Sequence, residues 1–152
     1  IPLYQSRTGQ LFNMILLCVD KSNNLIVGYA YKNQIIVYDE RQEIISQFKI
    51  RGLPDESHGD QAEIEGLGAM PDDAMIRDIA VDRAGRIFIL GGSYGKHPNR
   101  DVYVVTQDGT VETTFVLPDE TGMLYIDDQG FIYTREKKRT LVKKYEMKYV
   151  NF

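Results

Sequence analysis

A single cysteine, Cys18, stands in the whole chain, so no disulfide framework can form within it. It sits in an apolar stretch with no base suggested nearby, the setting of a buried, inert thiol. Histidine is almost as scarce. With only His58 and His97, a His-rich zinc centre is excluded within one subunit. No apolar run approaches the ~18 residues that a bilayer-crossing helix requires. Positive charge is not in excess either: the net charge of −4 and pI of about 5.2 argue against a general nucleic-acid binder. The first residue is Ile1 and not Met, so the start reads as processed or truncated and no targeting peptide can be recognised. The 152 residues suffice for one ordinary domain and not for two.

What is present is a phrase that occurs three times. It runs Cys18-Val19-Asp20 to Leu25-Ile26-Val27, then Ala80-Val81-Asp82 to Ile87-Phe88-Ile89, then Tyr125-Ile126-Asp127 to Phe131-Ile132-Tyr133. Each copy is an apolar run, an Asp, a turn containing Asn or Gly, and a second apolar run. A recurring hairpin is the signature of a repeat architecture. In the middle copy the spacing predicts strands over 79–82, 86–90, 101–106 and 111–117. A glycine-rich loop covers 91–100, and Asp108-Gly109 marks a tight hairpin. In the last of these strands Val111, Thr113 and Phe115 alternate with Glu112 and Thr114, the period of a half-buried strand. The first copy predicts strands over 16–20, 25–31, 34–39 and 43–50. The third predicts 123–127, 131–134 and 140–146, which leaves one strand short. The step from Val81 to Ile126 suits a propeller blade, and the longer step from Val19 to Val81 places an insertion at 51–75.

These features predict an all-β chain of three four-stranded antiparallel blades, at approximately 13–50, 76–118 and 122–152, forming a single unit that amounts to half of a six-bladed ring. A β-sandwich of three similar hairpins is the alternative. Ile1–Gln5 is expected to supply the missing outer strand of the third blade, in its own or a partner chain. Three blades make an open arc whose ends need covering, by a second copy in a homodimer or by the remainder of a longer propeller.

The phrase resembles the NHL repeat and related six-bladed propellers, most densely over Asp78, Gly85-Arg86-Ile87-Phe88 and Asp101 to Gly109. Where that family often carries Asp after its second strand, this chain has Gly91, with Tyr31 and Arg135 near the equivalent places. The resemblance implies a fold more than a function, because such propellers include lyases, lactonases, RNA binders and interaction platforms.

Candidate chemistry is sparse. Asp20, Asp82 and Asp127 each end an innermost strand and are assigned a structural role, accepting hydrogen bonds from the turn that follows. Asp55, His58, Asp60, Glu63 and Glu65 offer carboxylates and one imidazole to a hard divalent cation, yet match no EF-hand or zincin spacing, so an acidic loop is preferred. Gly91 to Pro98 lacks the Gly-Lys-Ser/Thr ending and helix of a phosphate cradle. Ser93 and His97 would need an orienting acid, for which only Asp101 stands near. Ligands on a ring axis would come from Asn13, Asp78 and Gly122-Met123, a poor set. The basic stretch from Arg135 to Lys148, with Tyr133, Tyr145 and Tyr149, could stack on RNA; cross-strand packing is the plainer reading.

The sequence thus predicts a non-catalytic propeller-type binding or scaffold module for a protein or small ligand. Its site lies where 51–75 and 91–100 meet, formed by His58, Asp60, Glu63, Tyr94 and His97, with an acidic rim suited to a cationic or metal-bridged ligand. No cofactor is expected unless it is a divalent cation. A divalent-cation-dependent hydrolase or lyase is the alternative, and an RNA-binding propeller the third reading.

Overall fold

The computed structural model describes residues 14–57, 61–64, 68–71 and 73–148. Among these every regular element is a β-strand. The first blade is β1 (Ile15–Val19), β2 (Leu25–Tyr29), β3 (Ile35–Tyr38) and β4 (Ile44–Phe48), paired antiparallel in chain order. A hairpin follows, β5 (Gln61–Ile64) with β6 (Gly68–Pro71). The second blade is β7 (Ile76–Val81), β8 (Ile87–Gly91), β9 (Asp101–Val105) and β10 (Val111–Val116). The third is β11 (Thr121–Ile126), β12 (Phe131–Glu136) and β13 (Val142–Glu146), three strands among the described residues. The outer strand expected from Ile1–Gln5 lies outside them.

Two strands begin earlier than alternation suggests. β7 starts at Ile76 and β11 at Thr121, each with a register shift in its first residues, between Ile76 and Asp78 and between Thr121 and Met123. A bulge inserts a residue and breaks the period of two, which hides the strand start from the sequence. The segment 51–75, expected as a loop, contains the β5–β6 hairpin. Its Gln, Ala, Glu, Gly and Pro residues are poor strand formers, so pairing there carries no propensity signal.

One turn recurs five times. After Asp20, Asp39, Asp82, Thr106 and Asp127 the chain makes a three-residue connection whose last member, Asn23, Gln42, Gly85, Gly109 or Gly130, has φ between 62° and 87°. In each, the first residue's carbonyl accepts from the third residue after it, and its N–H donates to the fourth. This is a type I turn closed by a left-handed residue, a geometry whose twist suits antiparallel strands.

Packing runs between blades. Ile26, Ile35 and Val37 of the first blade meet Ile79, Ile87, Ile89 and Val105 of the second, with Ile50, Met75 and Ile76 closing the layer. On its other face the second blade turns Ala80, Phe88, Leu90, Val102 and Val104 onto Leu124, Ile126 and Ile132 of the third. β8 is therefore buried on both faces, which accounts for its unbroken apolar sequence. Each such aliphatic side chain contributes about 1.5–3 kcal/mol by leaving water. The innermost strands β1, β7 and β11 lie side by side. Antiparallel connection then puts all five tight turns at one end of the blades. The β2–β3 and β8–β9 loops and the links between blades lie at the other.

Candidate functional site

At the loop end small polar side chains hold the connections together. Asn33 is buried in the β2–β3 turn. Its Nδ2 donates to the carbonyls of Ile50 and Leu53 at 2.8 and 3.1 Å, and its Oδ1 accepts from the Ile50 N–H at 2.7 Å. The start of the inter-blade link is thereby fixed to blade 1. Ser57 then donates its backbone N–H to the Tyr31 carbonyl and its Oγ to the Asp73 carbonyl at 2.7 Å, and shares a 2.8 Å hydrogen bond with the Tyr94 hydroxyl. The glycine-rich loop lies against the far end of the link: Gly92 N–H donates to the Met75 carbonyl and Ser93 N–H to the Ala74 carbonyl, both at 2.9 Å. A Cβ at Gly92 would sit 1.8 Å from the Ala74 oxygen, so only glycine permits this approach. Buried Asn99 fastens the loop to the rest. Its carbonyl accepts from Thr121 N–H at 2.9 Å, and its Oδ1 from the Arg77 guanidinium at 3.2 Å.

Among the described residues the two long segments meet through Ser57 and Tyr94. His97 turns to Asp101, four residues on at the start of β9. Its Nδ1 lies 2.8 Å from Asp101 Oδ1, while its backbone N–H donates to Asp101 Oδ2 at 2.8 Å. Asp101 is nearly enclosed, and the imidazole is 40% exposed. In the neutral ring this pairing places the proton on Nδ1 and leaves the Nε2 lone pair available to accept a proton or ligate. A shallow cleft of about 340 Å³ opens there, lined in part by His97, Asp101, Tyr103 and Phe115. Burial and the neighbouring Asp101 charge raise the Tyr103 hydroxyl above its usual range.

His58 and Asp60 lie outside the described residues, and Glu63 falls on β5 opposite Ala69. The acidic rim is less acidic than a count of carboxylates suggests. Asp55 pairs with Lys49 at 2.8 Å and Glu56 with Lys32 at 3.5 Å. Asn33, Ser57 and Asn99 were not legible as site residues, because Asn and Ser in turns are the commonest of turn residues.

At the turn end each of the three repeat aspartates accepts two backbone N–H groups on one oxygen. Asp20 accepts from Ser22 and Asn24, Asp82 from Ala84 and Arg86, and Asp127 from Gln129 and Phe131, all at 2.8–2.9 Å. The second oxygen takes a side chain: Asn24 Nδ2 and the Gln107 amide on Asp20, the Arg86 guanidinium on Asp82, the Tyr133 hydroxyl on Asp127. Desolvation alone would raise Asp20; the bonds from Asn24, Gln107 and Ser22 outweigh it and hold the carboxyl below its usual range. Lys21 reaches Asp128 at 3.0 Å, linking the turns of blades 1 and 3.

Of the axial positions, Asn13 lies outside the described residues. Both Asp78 oxygens accept backbone N–H groups, from Ile79 and from Leu124. Among the described residues no group of three or more His, Cys, Asp or Glu stands together as a metal-binding set. In the basic stretch Lys143 pairs with Asp119 and Glu136 at 2.6 and 2.8 Å, and Lys144 lies 3.7 Å from the Phe131 ring centre. Tyr145 packs into the interface with blade 2, while Tyr149 lies outside the described residues.

No family model matches the chain, and no curated protein matches it. Among solved structures it is similar to the β-propeller domain of Cps50 (Swd1) from Myceliophteria thermophila, at 9% identity and a TM-score of 0.50, over 95% of this chain and 38% of that one. It is also similar to a protein of unknown function from Bacteroides caccae (10% identity, TM-score 0.49, 86% of this chain and 45% of that one). A third match is virginiamycin B lyase from Staphylococcus aureus (8% identity, TM-score 0.40, 96% and 58%). The chain thus spans between 38% and 58% of the length of these structures. At such identity the likeness to the Swd1 domain bears on fold alone, and with the sheet order above it makes these sheets β-propeller blades.

Proposed function

We propose that the chain is a non-catalytic binding or scaffold module of propeller type, of the NHL-like kind that its repeated turn resembles, with its ligand site at the loop end. The observation that carries this reading is the Ser57–Tyr94 hydrogen bond, which joins the two long segments into one surface on a rigid sheet scaffold. Binding residues concentrate on loops positioned in this way. The cleft between the β8–β9 loop and β10 presents His97, oriented by Asp101, as the polar group that fixes a ligand.

The test is a thermal-shift screen of the purified chain against small cationic and neutral solutes and against Mg²⁺, Mn²⁺ and Zn²⁺, with elemental analysis of the protein as isolated. The expected result is a solute that raises the melting temperature of the wild type and not of Tyr94→Phe or His97→Ala. A divalent metal bound in stoichiometric amount would favour the cation-dependent hydrolase or lyase reading instead. A screen in which both variants respond like the wild type would remove the loop end as the site.

A further inference from the structure

The cleft beside His97 is bounded by a loop that is tied down on both sides of it. Before it, Gly92 and Ser93 bond the link between blades 1 and 2, and Tyr94 bonds Ser57. After it, the His97 carbonyl accepts from the N–H groups of Arg100 and Asp101, at 3.0 and 3.2 Å, and the Asn99 N–H donates to the Gly92 carbonyl at 2.8 Å. Gly95 lies close over Asp101, where a Cβ would stand 2.5 Å from Oδ2. Both Asp101 oxygens already accept from His97, so that carboxylate is engaged within the protein and turned away from any ligand. It is also the one acid that lines the cleft among the described residues.

What the cleft still offers is hydrogen-bond donors. Lys96 lines it, is exposed, and has no carboxylate partner among the described residues. The hydroxyls of Tyr103 and Thr114 line it too, and neither makes a hydrogen bond among the described residues. Burial and the Asp101 charge keep the Tyr103 proton in place, so its hydroxyl stays a donor. With a solvent proton on Nε2, the His97 ring donates on both sides, Nδ1 to Asp101 and Nε2 into the cleft. The remaining wall is apolar, formed by Phe115 and Val116 of β10.

We propose that this cleft takes a small monocarboxylate with an aromatic or branched aliphatic body. The inference rests on the reading that the ligand site is at the loop end, and names the chemistry of what binds there. The carboxylate is received by the Lys96 ammonium and the His97 Nε2–H, with the Tyr103 and Thr114 hydroxyls as further donors, and the body lies on Phe115 and Val116. Charge complementarity decides the sign. A cationic ligand finds no open carboxylate and meets Lys96, and a neutral one leaves the ammonium without a counter-charge. Hydrogen bonds in which a partner is ionised are the stronger kind. Size decides the class: about 340 Å³ is near the lower end of the ~300–1,000 Å³ that small-molecule pockets span.

The test is an amide NMR titration of the isotope-labelled chain with phenylacetate, phenylacetamide and benzylamine, which share a body and differ in charge, and with acetate, which lacks the body. Phenylacetate should shift the amides of residues 95–97 and 114–116. It should bind at least about fivefold tighter than the amide or the amine, and at least about tenfold tighter than acetate. Lys96→Glu and Thr114→Glu each put a carboxylate at an exposed position of the cleft, where the fold tolerates it. Each should weaken phenylacetate at least about fivefold and leave the amide spectrum of the blade interiors unchanged. Phenylacetate binding that survives both variants, or that acetate matches, overturns the proposal. Tighter binding of benzylamine or phenylacetamide at the same amides overturns the ligand class and keeps the loop end as the site. Shifts confined to other parts of the chain, or none from any probe, overturn the proposal, and shifts at the turn end count against the loop-end reading as well.

Discussion

The carboxylate of Asp78, on the inner strand of blade 2, accepts the backbone N–H of Leu124, on the inner strand of blade 3, at 2.7 Å. Its other oxygen accepts the N–H of Ile79 at 2.9 Å. A side chain thus takes up a backbone donor on the free edge of β11, which pairs with β12 alone among the described strands. Burial raises the Asp78 pKa, and the two N–H bonds pull it back only partway. Asp78→Ala strands both donors and should lower stability by about 1–3 kcal/mol in urea melts.

The same group sets a pH dependence. With its native pKa above the unfolded value of about 3.9, Asp78 keeps its proton to higher pH in the folded chain. Its favourable contribution is full below the unfolded pKa and is lost as pH rises through the raised native one. Wild type should therefore lose stability relative to Asp78→Asn as pH rises above about 4 in paired urea melts. A difference that stays flat as pH rises, or slopes the other way, would show that the carboxyl is not held protonated by burial.

The turn aspartates should grade by enclosure. Asp82 is 7% exposed and accepts two backbone N–H groups as well as Arg86, whereas Asp39 accepts the equivalent N–H groups of Arg41 and Glu43 at the exposed β3–β4 turn. Asp82→Ala should cost about 1–3 kcal/mol and Asp39→Ala well under about 1, because water replaces the lost acceptor only at the exposed turn. Denaturant midpoints of the two variants decide it, and equal losses would refute the ordering.

Glycine at position 92 should prove irreplaceable. A methyl group there collides with the Ala74 carbonyl, and the obstacle is backbone, not the end of a flexible side chain. Gly92→Ala should cost at least about 3 kcal/mol and speed hydrogen exchange at Ser93, whose N–H bonds Ala74. Gly130→Ala is the control: with φ of 86° and open space around it, the expected cost is about 1–2 kcal/mol of backbone strain.

Cys18 should be chemically silent. Burial, with the Asp78 and Asp20 charges behind it, pushes its pKa up to about 12. Since the thiolate is the reactive form, alkylation by iodoacetamide at pH 8 should run at least about tenfold slower in the native chain than in urea. Mass spectrometry over a time course measures this, and equal rates would mean that the thiol is neither buried nor inert.

The repeat phrase alone carried much of the fold. Three copies of apolar run, Asp, turn and apolar run fix where hairpins form, because an Asp that can accept two turn N–H groups and a residue that tolerates positive φ are local requirements met by local sequence. The continuous apolar strand Ile87–Gly91 likewise announced a strand covered on both faces. Tertiary structure decided what no local pattern encodes. Asn33, Ser57 and Asn99 become clasps only because the chain returns to them from about 20 residues away or more, as Asn33 does with Leu53 and Ser57 with Tyr94. His97 was legible as a candidate and Asp101 as the only acid near it, but the closing of the β8–β9 loop decides that the two meet. The open rows of Leu17 and Val19, and of Met123 and Tyr125, read in sequence like any half-apolar strand. They stand out as open only once the blades are stacked and the same positions elsewhere are seen to be covered. Alternation says which residues share a face; only packing decides whether anything lies against it.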